Sequence, residues 1–176
     1  MDDLIAELKN RKARGLLRSE SDFSRGDFGP LSPADMALAE AHLGFALPPL
    51  LRRIYGEVAN GGFGYGYGFL GLLGGMLNED GHDAVAQYRW YRQSRPKDPL
   101  WHWPDALLPL GHLGCAMFHC VRCDHPDAPV VWFEPNPHEH GESWDSAFIP
   151  FSPSLAEYLA AWLAGKDLFA DFMDET

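Results

Sequence analysis

The chain has 176 residues, 46% of them apolar and 13% aromatic, and a formal net charge of −11 at pH 7. This length and composition predict a single globular domain and exclude an intrinsically disordered protein. The longest apolar runs, at 69–77 and 159–164, are far shorter than the roughly 20 residues of a membrane-spanning helix, and the N-terminus lacks the apolar stretch of a secretory signal, so we expect a cytoplasmic protein with no membrane partner.

The negative charge is concentrated in the second part of the chain. Residues 1–97 carry 12 acidic and 12 basic residues, whereas residues 98–176 carry 13 acidic residues against only Arg122 and Lys166. A region of one charge sign disfavours nucleic acid as a partner and favours a basic protein or cations, although acidic loops also keep proteins soluble.

The first 30 residues are predicted to be a helix followed by a flexible linker. A loose helical stripe of apolar residues begins the chain, and residues 19–30 are polar and contain glycine, which is typical of a linker. We therefore expect residues 1–30 to form an N-terminal extension and residues 31–176 to form one α+β domain. The stripe consists of Leu4, Ile5, Leu8, Leu16 and Leu17.

Two consecutive helices with strong boundary signals open the main domain. Ser32-Pro33-Ala34-Asp35 combines a capping serine, a proline suited to the first helical position and an acidic residue suited to a capping box, and Gly44 can end this helix. Pro48-Pro49 begins the second helix, which Asn60-Gly61-Gly62 ends because glycine tolerates positive φ. The apolar stripe of the second helix is Leu50, Leu51, Ile54, Tyr55 and Val58.

The rest of the chain is predicted to contain short strands and two more helices. Helices first, then strands, then a helix predict an α+β fold with N-terminal helices, a central mostly antiparallel or mixed sheet and a closing C-terminal helix, rather than repeated βαβ units. The predicted strands are 69–73, 107–110, 115–122, 129–133 and 148–151, and the predicted helices are 83–95 and a segment that starts at Ser152 or Ser154 and ends at Gly165.

The glycine and proline residues at the boundaries of the second helix resemble a family signature. Leu43-Gly44, Leu47-Pro48 and Asn60-Gly61-Gly62 follow the pattern of the SUKH superfamily, which includes bacterial immunity proteins and fungal cell-wall-assembly regulators. The resemblance implies a scaffold that binds protein partners. Its structural signature residues here are Gly44, Leu47, Pro48, Asn60, Gly61 and Gly62.

Two later segments extend the resemblance to roughly residues 31–165. In residues 103–115 a tryptophan precedes a Leu-Pro and a Gly-containing turn, which is similar to the middle strand region of the superfamily. The helix at 154–165 is similar to its closing helix. Three parts of the chain depart from the pattern, which leaves the identity of the partner open: residues 1–30, the run of alternating glycine and aromatic residues at 62–69, and the His/Cys-bearing stretch at 115–140.

A glycine-rich motif at residues 66–71 satisfies the G-x-G-x-x-G spacing of dinucleotide-binding proteins. That reading requires a strand before the motif, a helix that starts within it and an acidic residue about 20 positions later. Here a helix precedes the motif, and the residue 20 positions beyond Gly71 is Tyr91. We predict a tight turn that leads into a strand, and no cofactor.

Cysteine and histidine residues in the second half offer soft metal ligands. Cys120 and Cys123 are separated by two residues, but the spacing of His138 and His140 is unusual for a zinc site. We expect cysteines packed in or beside a strand, with no metal. The sequence also lacks a serine elbow, a Walker loop and an HExxH motif, so we predict no catalytic residues; a metal-dependent enzyme is the least favoured alternative.

The candidate partner-binding residues are four carboxylates and two tryptophans. The acids surround the segment Pro135-Asn136-Pro137, and the tryptophans alternate with His102 in a proline-rich loop, where aromatic side chains are suited to anchor an interface. Paired acids can also serve catalysis, but that requires a shaped pocket. The predicted residues are Trp101, Trp103, Glu134, Glu139, Glu142 and Asp145.

The resemblance implies that a bacterial member neutralises a cognate toxin by binding it. We hypothesise that an acidic surface occludes the basic, nucleic-acid-binding face of a nuclease-type toxin and speeds association with it. The alternative is a regulatory scaffold that binds a cellular protein. We expect the protein itself to be a monomer or a weak homodimer.

Overall fold

The structure, a computed structural model, describes residues 1–19 and 26–175, without the side chains of residues 171 and 173–175. Residues 20–25 of the predicted linker lie outside the described part. The helices are α1 (Asp2–Ala13), α2 (Pro33–Leu43), α3 (Pro49–Arg53), which continues as a π-helical turn (Ile54–Val58), α4 (Ala84–Tyr91), α5 (Leu155–Leu163) and α6 (Leu168–Glu175). The strands are β1 (Gly68–Phe69), β2 (Leu107–Gly114), β3 (Met117–Arg122), β4 (Val130–Phe133) and β5 (Phe148–Ser152), and a 3₁₀ turn (Trp144–Ala147) precedes β5.

The five strands form one antiparallel sheet in sequence order, from β1 to β5. Short turns connect β2 to β3 and β3 to β4, as adjacent antiparallel strands allow. Residues 70–106, which include α4, connect β1 to β2, and residues 134–147 connect β4 to β5. The predicted α+β class with a central antiparallel sheet is therefore confirmed. None of the described helices is long and apolar enough to cross a membrane.

The boundaries of the helices follow the predicted local signals. The Ser32 hydroxyl accepts a hydrogen bond from the Asp35 amide at 3.1 Å, and Ser154 caps α5 in the same way through Glu157. Gly44 ends α2 in the left-handed conformation, with φ of 82°. These predictions are confirmed because capping depends on residues within one helical turn.

Other predicted boundaries were wrong. The strand predicted at 69–73 ends at Phe69, since the backbone of Leu72 bonds to a side chain instead of to a neighbouring strand. The helix predicted at 83–95 ends at Tyr91, and Cys115, predicted to begin a strand, lies in the β2–β3 turn with φ of 50°. Helix α6 was not predicted.

The N-terminal helix packs on the main domain. Ile5 and Leu8 of α1 are fully buried, and the Lys12 ammonium donates to the Val58 carbonyl at 2.7 Å, at the end of the π-helical turn. This contact satisfies a carbonyl that has no partner within its own helix. Helix α1 thus belongs to the same core as the residues that follow it.

The sheet is covered on both faces. Phe118 pairs with Phe133 across β3 and β4, and both contact Tyr91 of α4, with ring centroids 6.1 and 5.5 Å from it. The neighbouring pair, His119 and Trp132, points to the opposite face because side chains alternate along a strand. Helices α5 and α6 cover that second face.

His119 is a buried histidine on the second face. Its Nδ1 is hydrogen-bonded to the Tyr158 hydroxyl at 2.9 Å, and its ring packs against Phe151 with centroids 4.1 Å apart. Its Nε2 has no hydrogen-bond partner among the described residues. Burial lowers the pKa of His119 to about 3, so the side chain is neutral in the folded protein at neutral pH.

We expect His119 to make the protein less stable at mildly acidic pH. An unfolded histidine binds a proton below its ordinary pKa of about 6.5, whereas the folded one resists protonation down to about pH 3, so stability falls as the pH falls through this range. From pH 6 to pH 4 the loss due to this residue should be about 2 kcal/mol. Urea denaturation of the wild type and His119→Gln at both pH values measures the difference.

The matched control for this experiment is His125→Gln, since His125 is exposed. The wild type and the His125 variant should lose the same stability between the two pH values, and His119→Gln should lose less. Parallel pH profiles for all three proteins would contradict the assignment of a neutral, buried His119.

Candidate partner-binding surface

The Asn-Gly-Gly part of the signature fixes the backbone on both sides of strand β1. The Asn60 side chain donates to the Leu72 carbonyl at 2.9 Å and accepts from the Leu72 amide at 2.7 Å. Gly61 has φ of 82°, and a Cβ atom there would lie 2.5 Å from the Phe69 carbonyl oxygen. Asn60 therefore satisfies the backbone of Leu72, and only glycine fits at position 61. Both residues are buried, so they are not accessible to a partner.

The Leu-Gly and Leu-Pro part of the signature organises the turn between α2 and α3. The Gly44 amide donates to the Glu40 carbonyl, and the Glu40 carboxylate accepts from the Leu47 amide at 2.8 Å. Leu47 and Pro48 are buried. Leu47 and Pro48 are therefore structural residues of this turn, whereas Gly44 is exposed.

The structure buries the two tryptophans that the sequence suggested as interface anchors. Trp101 is 9% exposed and Trp103 is 3% exposed. Their indole nitrogens donate to the carbonyls of Tyr91 at 2.8 Å and of Leu107 at 2.7 Å. The proline-rich loop folds against the first face of the sheet, so the two rings predicted as interface anchors pack in the core and their indole N–H groups are bonded within the protein.

The four predicted carboxylates lie together in the loop from β4 to the 3₁₀ turn and at the start of that turn. Glu139, Glu142 and Asp145 are exposed. Glu134 is half-buried, and its carboxylate accepts from the Asn136 amide at 2.8 Å and from the Asn136 side chain at 2.7 Å. Three of the four acids are therefore accessible, whereas Glu134 shapes the loop.

Stacked rings attach this acidic loop to the core. The His138 ring lies on Trp144 with centroids 3.6 Å apart and an interplanar angle of 10°. Trp144 in turn contacts Trp101 edge-on at 4.7 Å and donates its indole hydrogen to the Asp98 carboxylate at 2.8 Å. Because these contacts fix the loop, its carboxylates have a defined position relative to the aromatic cluster.

Two exposed apolar side chains and a partly buried arginine lie in α4 and in the segment that follows it. Trp90 is 43% exposed and Leu100 is 48% exposed. The Arg95 guanidinium lies over the rings of Trp90 and Trp101, with its carbon 4.6 and 3.7 Å from their centroids. Tryptophan and arginine are the residue types most enriched in binding hot spots.

Trp90 could have been found from the sequence. Val85, Tyr88 and Tyr91 recur at helical spacing along α4 and are all buried, and Trp90 lies off this stripe. A large aromatic residue on the polar side of a helix is a signal for an interface. We use the term candidate partner-binding surface for the set of Trp90, Arg95, Leu100, His102, His138, Glu139, Glu142 and Asp145.

A side-chain contact between His102 and Asp145 joins two segments of this surface. His102 Nε2 lies 3.1 Å from an Asp145 carboxylate oxygen, and the Ser143 hydroxyl donates to the other oxygen at 2.7 Å. His102 belongs to the loop that carries Trp101, and Asp145 belongs to the 3₁₀ turn. The surface is therefore continuous from the end of α4 to the start of β5.

Of the three cysteines, Cys120 is buried, Cys123 is half-buried and Cys115 is exposed. Burial raises the pKa of the Cys120 thiol and raises that of Cys123 to about 12, which makes both thiols poor nucleophiles. Among the described residues, no group of three or more His, Cys, Asp or Glu side chains is placed to hold a metal ion. The glycine-rich motif at 66–71 contains strand β1, and no helix starts within it.

Comparison with known families gives one match that covers most of the chain. A family model described as SMI1 / KNR4 family (SUKH-1) matches residues 30–161. The matched region includes α2, the whole sheet and most of α5, but neither α1 nor α6. A search of curated proteins finds no match.

Proposed function

The chain belongs to the SMI1/KNR4 (SUKH-1) family, and from this we propose that it is a non-enzymatic protein-binding module, an immunity protein that neutralises a basic, nuclease-type toxin by occlusion. The family fits an immunity or regulatory role based on protein binding. The toxin, and the choice of the candidate partner-binding surface as the contact, are our proposal.

The observation that carries the proposal is the pairing of accessible acids with an exposed aromatic residue. The loop that carries the exposed Glu139, Glu142 and Asp145 is linked to the exposed Trp90 by a chain of side-chain contacts. The chain runs through His138, Trp144, Trp101 and Arg95, each of which contacts the next. Between Arg122 and Lys166 the sequence contains no lysine or arginine, so no nearby basic residue of this segment neutralises the acids. A basic partner would be attracted by these charges and held by the apolar groups at their centre.

Occlusion requires only that the bound module cover the substrate-binding face of its target. The nucleic-acid-binding face of a nuclease is basic, because it must neutralise phosphates. An acidic surface that mimics the charge of nucleic acid would compete for that face. No catalytic group on this chain is needed for such a mechanism.

Reversing the charge of three acids should slow association with the partner. We expect Glu139→Lys/Glu142→Lys/Asp145→Lys to lower the association rate constant by about 10- to 100-fold at low ionic strength, because steering depends on complementary charge. At high salt the difference should shrink, since screening shortens the range of the charges. Stopped-flow or surface-based kinetics with the protein that co-purifies from native cells measures the effect.

The control variant reverses three exposed acids elsewhere, with Asp3→Lys, Asp80→Lys and Asp127→Lys. It has the same net charge as the test variant, so a purely global effect of charge would slow both equally. Equal association rate constants for the two variants would contradict the proposal that this surface contacts the partner. If the co-purified protein is a regulatory protein with no toxic activity, the scaffold alternative replaces immunity.

A further inference from the structure

Three aromatic rings border the guanidinium group of Arg95. Its carbon lies 3.7 Å from the ring centroid of Trp101, 4.6 Å from that of Trp90 and 6.0 Å from that of Tyr91. Ring faces carry negative partial charge and attract cations within about 6 Å. The three rings therefore form an aromatic cage, defined by Trp90, Tyr91 and Trp101.

The inner walls of this aromatic cage are held in place without Arg95. The Trp101 indole donates to the Tyr91 carbonyl at 2.8 Å, and the Tyr91 ring stacks on Trp103 with centroids 4.2 Å apart and an angle of 16°. Tyr91 and Trp101 are 4% and 9% exposed, whereas Trp90 is 43% exposed. The cage is thus a preorganised site with a rigid floor and one wall at the surface.

Arg95 is an imperfect occupant of the cage. Its Nη2 atom is buried and has no hydrogen-bond partner among the described residues. Burial also lowers the pKa of Arg95, because the guanidinium loses part of its hydration there. In water all the donors of a guanidinium are hydrated, and a buried donor without a partner is costly.

The backbone position of Arg95 allows it to leave. The residue lies beyond the end of α4, in the irregular segment 92–106 that leads to β2. Its carbonyl accepts from the Asp98 amide at 2.9 Å, and a side-chain rotation keeps this bond. Release of the guanidinium would therefore break no helix or sheet hydrogen bond.

We propose that the aromatic cage is a binding site for a guanidinium or alkylammonium side chain of the basic partner, and that Arg95 is its exchangeable occupant in the free protein. The incoming cation would displace Arg95 into solvent and enter beside the Asp98 carboxylate, which accepts from Trp144. The inference that the cation belongs to a basic protein partner rests on the proposed function. The inference that the aromatic cage binds a cation does not depend on it.

The test uses Arg95→Ala, which empties the cage, and methylguanidinium or tetramethylammonium chloride as the probe. We expect saturable shifts of the Trp90 and Trp101 indole resonances in ¹H–¹⁵N spectra, at probe concentrations at least about 5-fold lower than the wild type requires. The indole resonance of Trp132, which lies on the second face of the sheet, reports the fold and should not shift. Arg95→Gln, which keeps a long side chain, serves if the alanine variant does not fold.

Two controls separate a cation site from an apolar pocket. Trp90→Ala/Arg95→Ala removes one wall and should abolish the saturable shifts, and tert-butanol, a neutral molecule of similar shape to tetramethylammonium, should not reproduce them. Absence of saturation in both Arg95 variants, or equal binding of the neutral molecule, overturns the cage. The charge-reversal experiment leaves Arg95 and the rings intact, so the two proposals fail separately.

Discussion

Replacing Asn60 by alanine is expected to lower the free energy of unfolding by about 2–6 kcal/mol, because it leaves two buried backbone groups without partners. The side chain bonds both the amide and the carbonyl of Leu72, which is fully buried. Each unsatisfied buried group costs about 1–3 kcal/mol. Urea denaturation monitored by tryptophan fluorescence measures the loss.

Two further asparagine variants serve as controls for the loss of stability in Asn60→Ala. Asn136 is exposed, although it also bonds to backbone, so Asn136→Ala should cost less than about 1 kcal/mol. Asn60→Asp keeps an acceptor but loses the donor to the Leu72 carbonyl and buries a charge, so it should be destabilised at least as much as Asn60→Ala at neutral pH. Similar small losses for Asn60→Ala and Asn136→Ala would refute the structural role of the signature.

Replacing Trp103 by alanine is expected to cost about 3–5 kcal/mol of stability, the usual range for removal of a buried tryptophan. Its ring stacks on Tyr91, meets Phe133 edge-on at 4.9 Å and contacts Phe148 at 5.3 Å. The substitution also leaves the Leu107 carbonyl without the indole donor. Denaturation of the purified variant tests the core role directly.

Trp90→Ala is the matched control for Trp103. Because Trp90 is 43% exposed, its removal should change the free energy of unfolding by less than about 1 kcal/mol. It should instead weaken binding of the partner, as expected of an aromatic residue at an interface. A stable Trp103→Ala variant with weakened binding would restore the original hypothesis that Trp103 is an anchor.

The helix boundaries show which features of this fold are local. Ser32, Gly44 and Ser154 act on amides and carbonyls within a few residues, so their roles could be predicted from neighbouring letters of the sequence. The apolar stripe of α3 and its π-helical continuation was predicted for the same reason. A helix satisfies its hydrogen bonds within one segment, which makes it the element most visible in sequence.

The segment after Asn60 shows where local reasoning failed. An apolar run at 69–73 satisfied the pattern of a strand, but the backbone of Leu72 bonds to Asn60, 12 residues earlier. Leu73 then adopts φ of 46°, which a strand does not allow. The irregular conformation of this segment thus depends on the side chain of Asn60, which lies outside the apolar run from which the strand was predicted.

The candidate site was predicted in part. The accessibility of Glu139, Glu142 and Asp145 follows from their place in a polar, proline-rich loop, and the structure agrees. The roles of the aromatic residues were exchanged: Trp101 is buried, whereas Trp90 is exposed. The sequence identifies residue types that are suited to an interface, but it does not show which of these side chains become buried in the folded protein.

The sequence by itself determined the family, the α+β class, most helix boundaries and the confinement of excess negative charge to residues 98–176. These properties depend on short-range hydrogen bonding or on composition. Only the tertiary structure decided which tryptophans face solvent and that Arg95 lies among three rings. The physical reason is that burial depends on residues far apart in sequence, which the antiparallel sheet brings together.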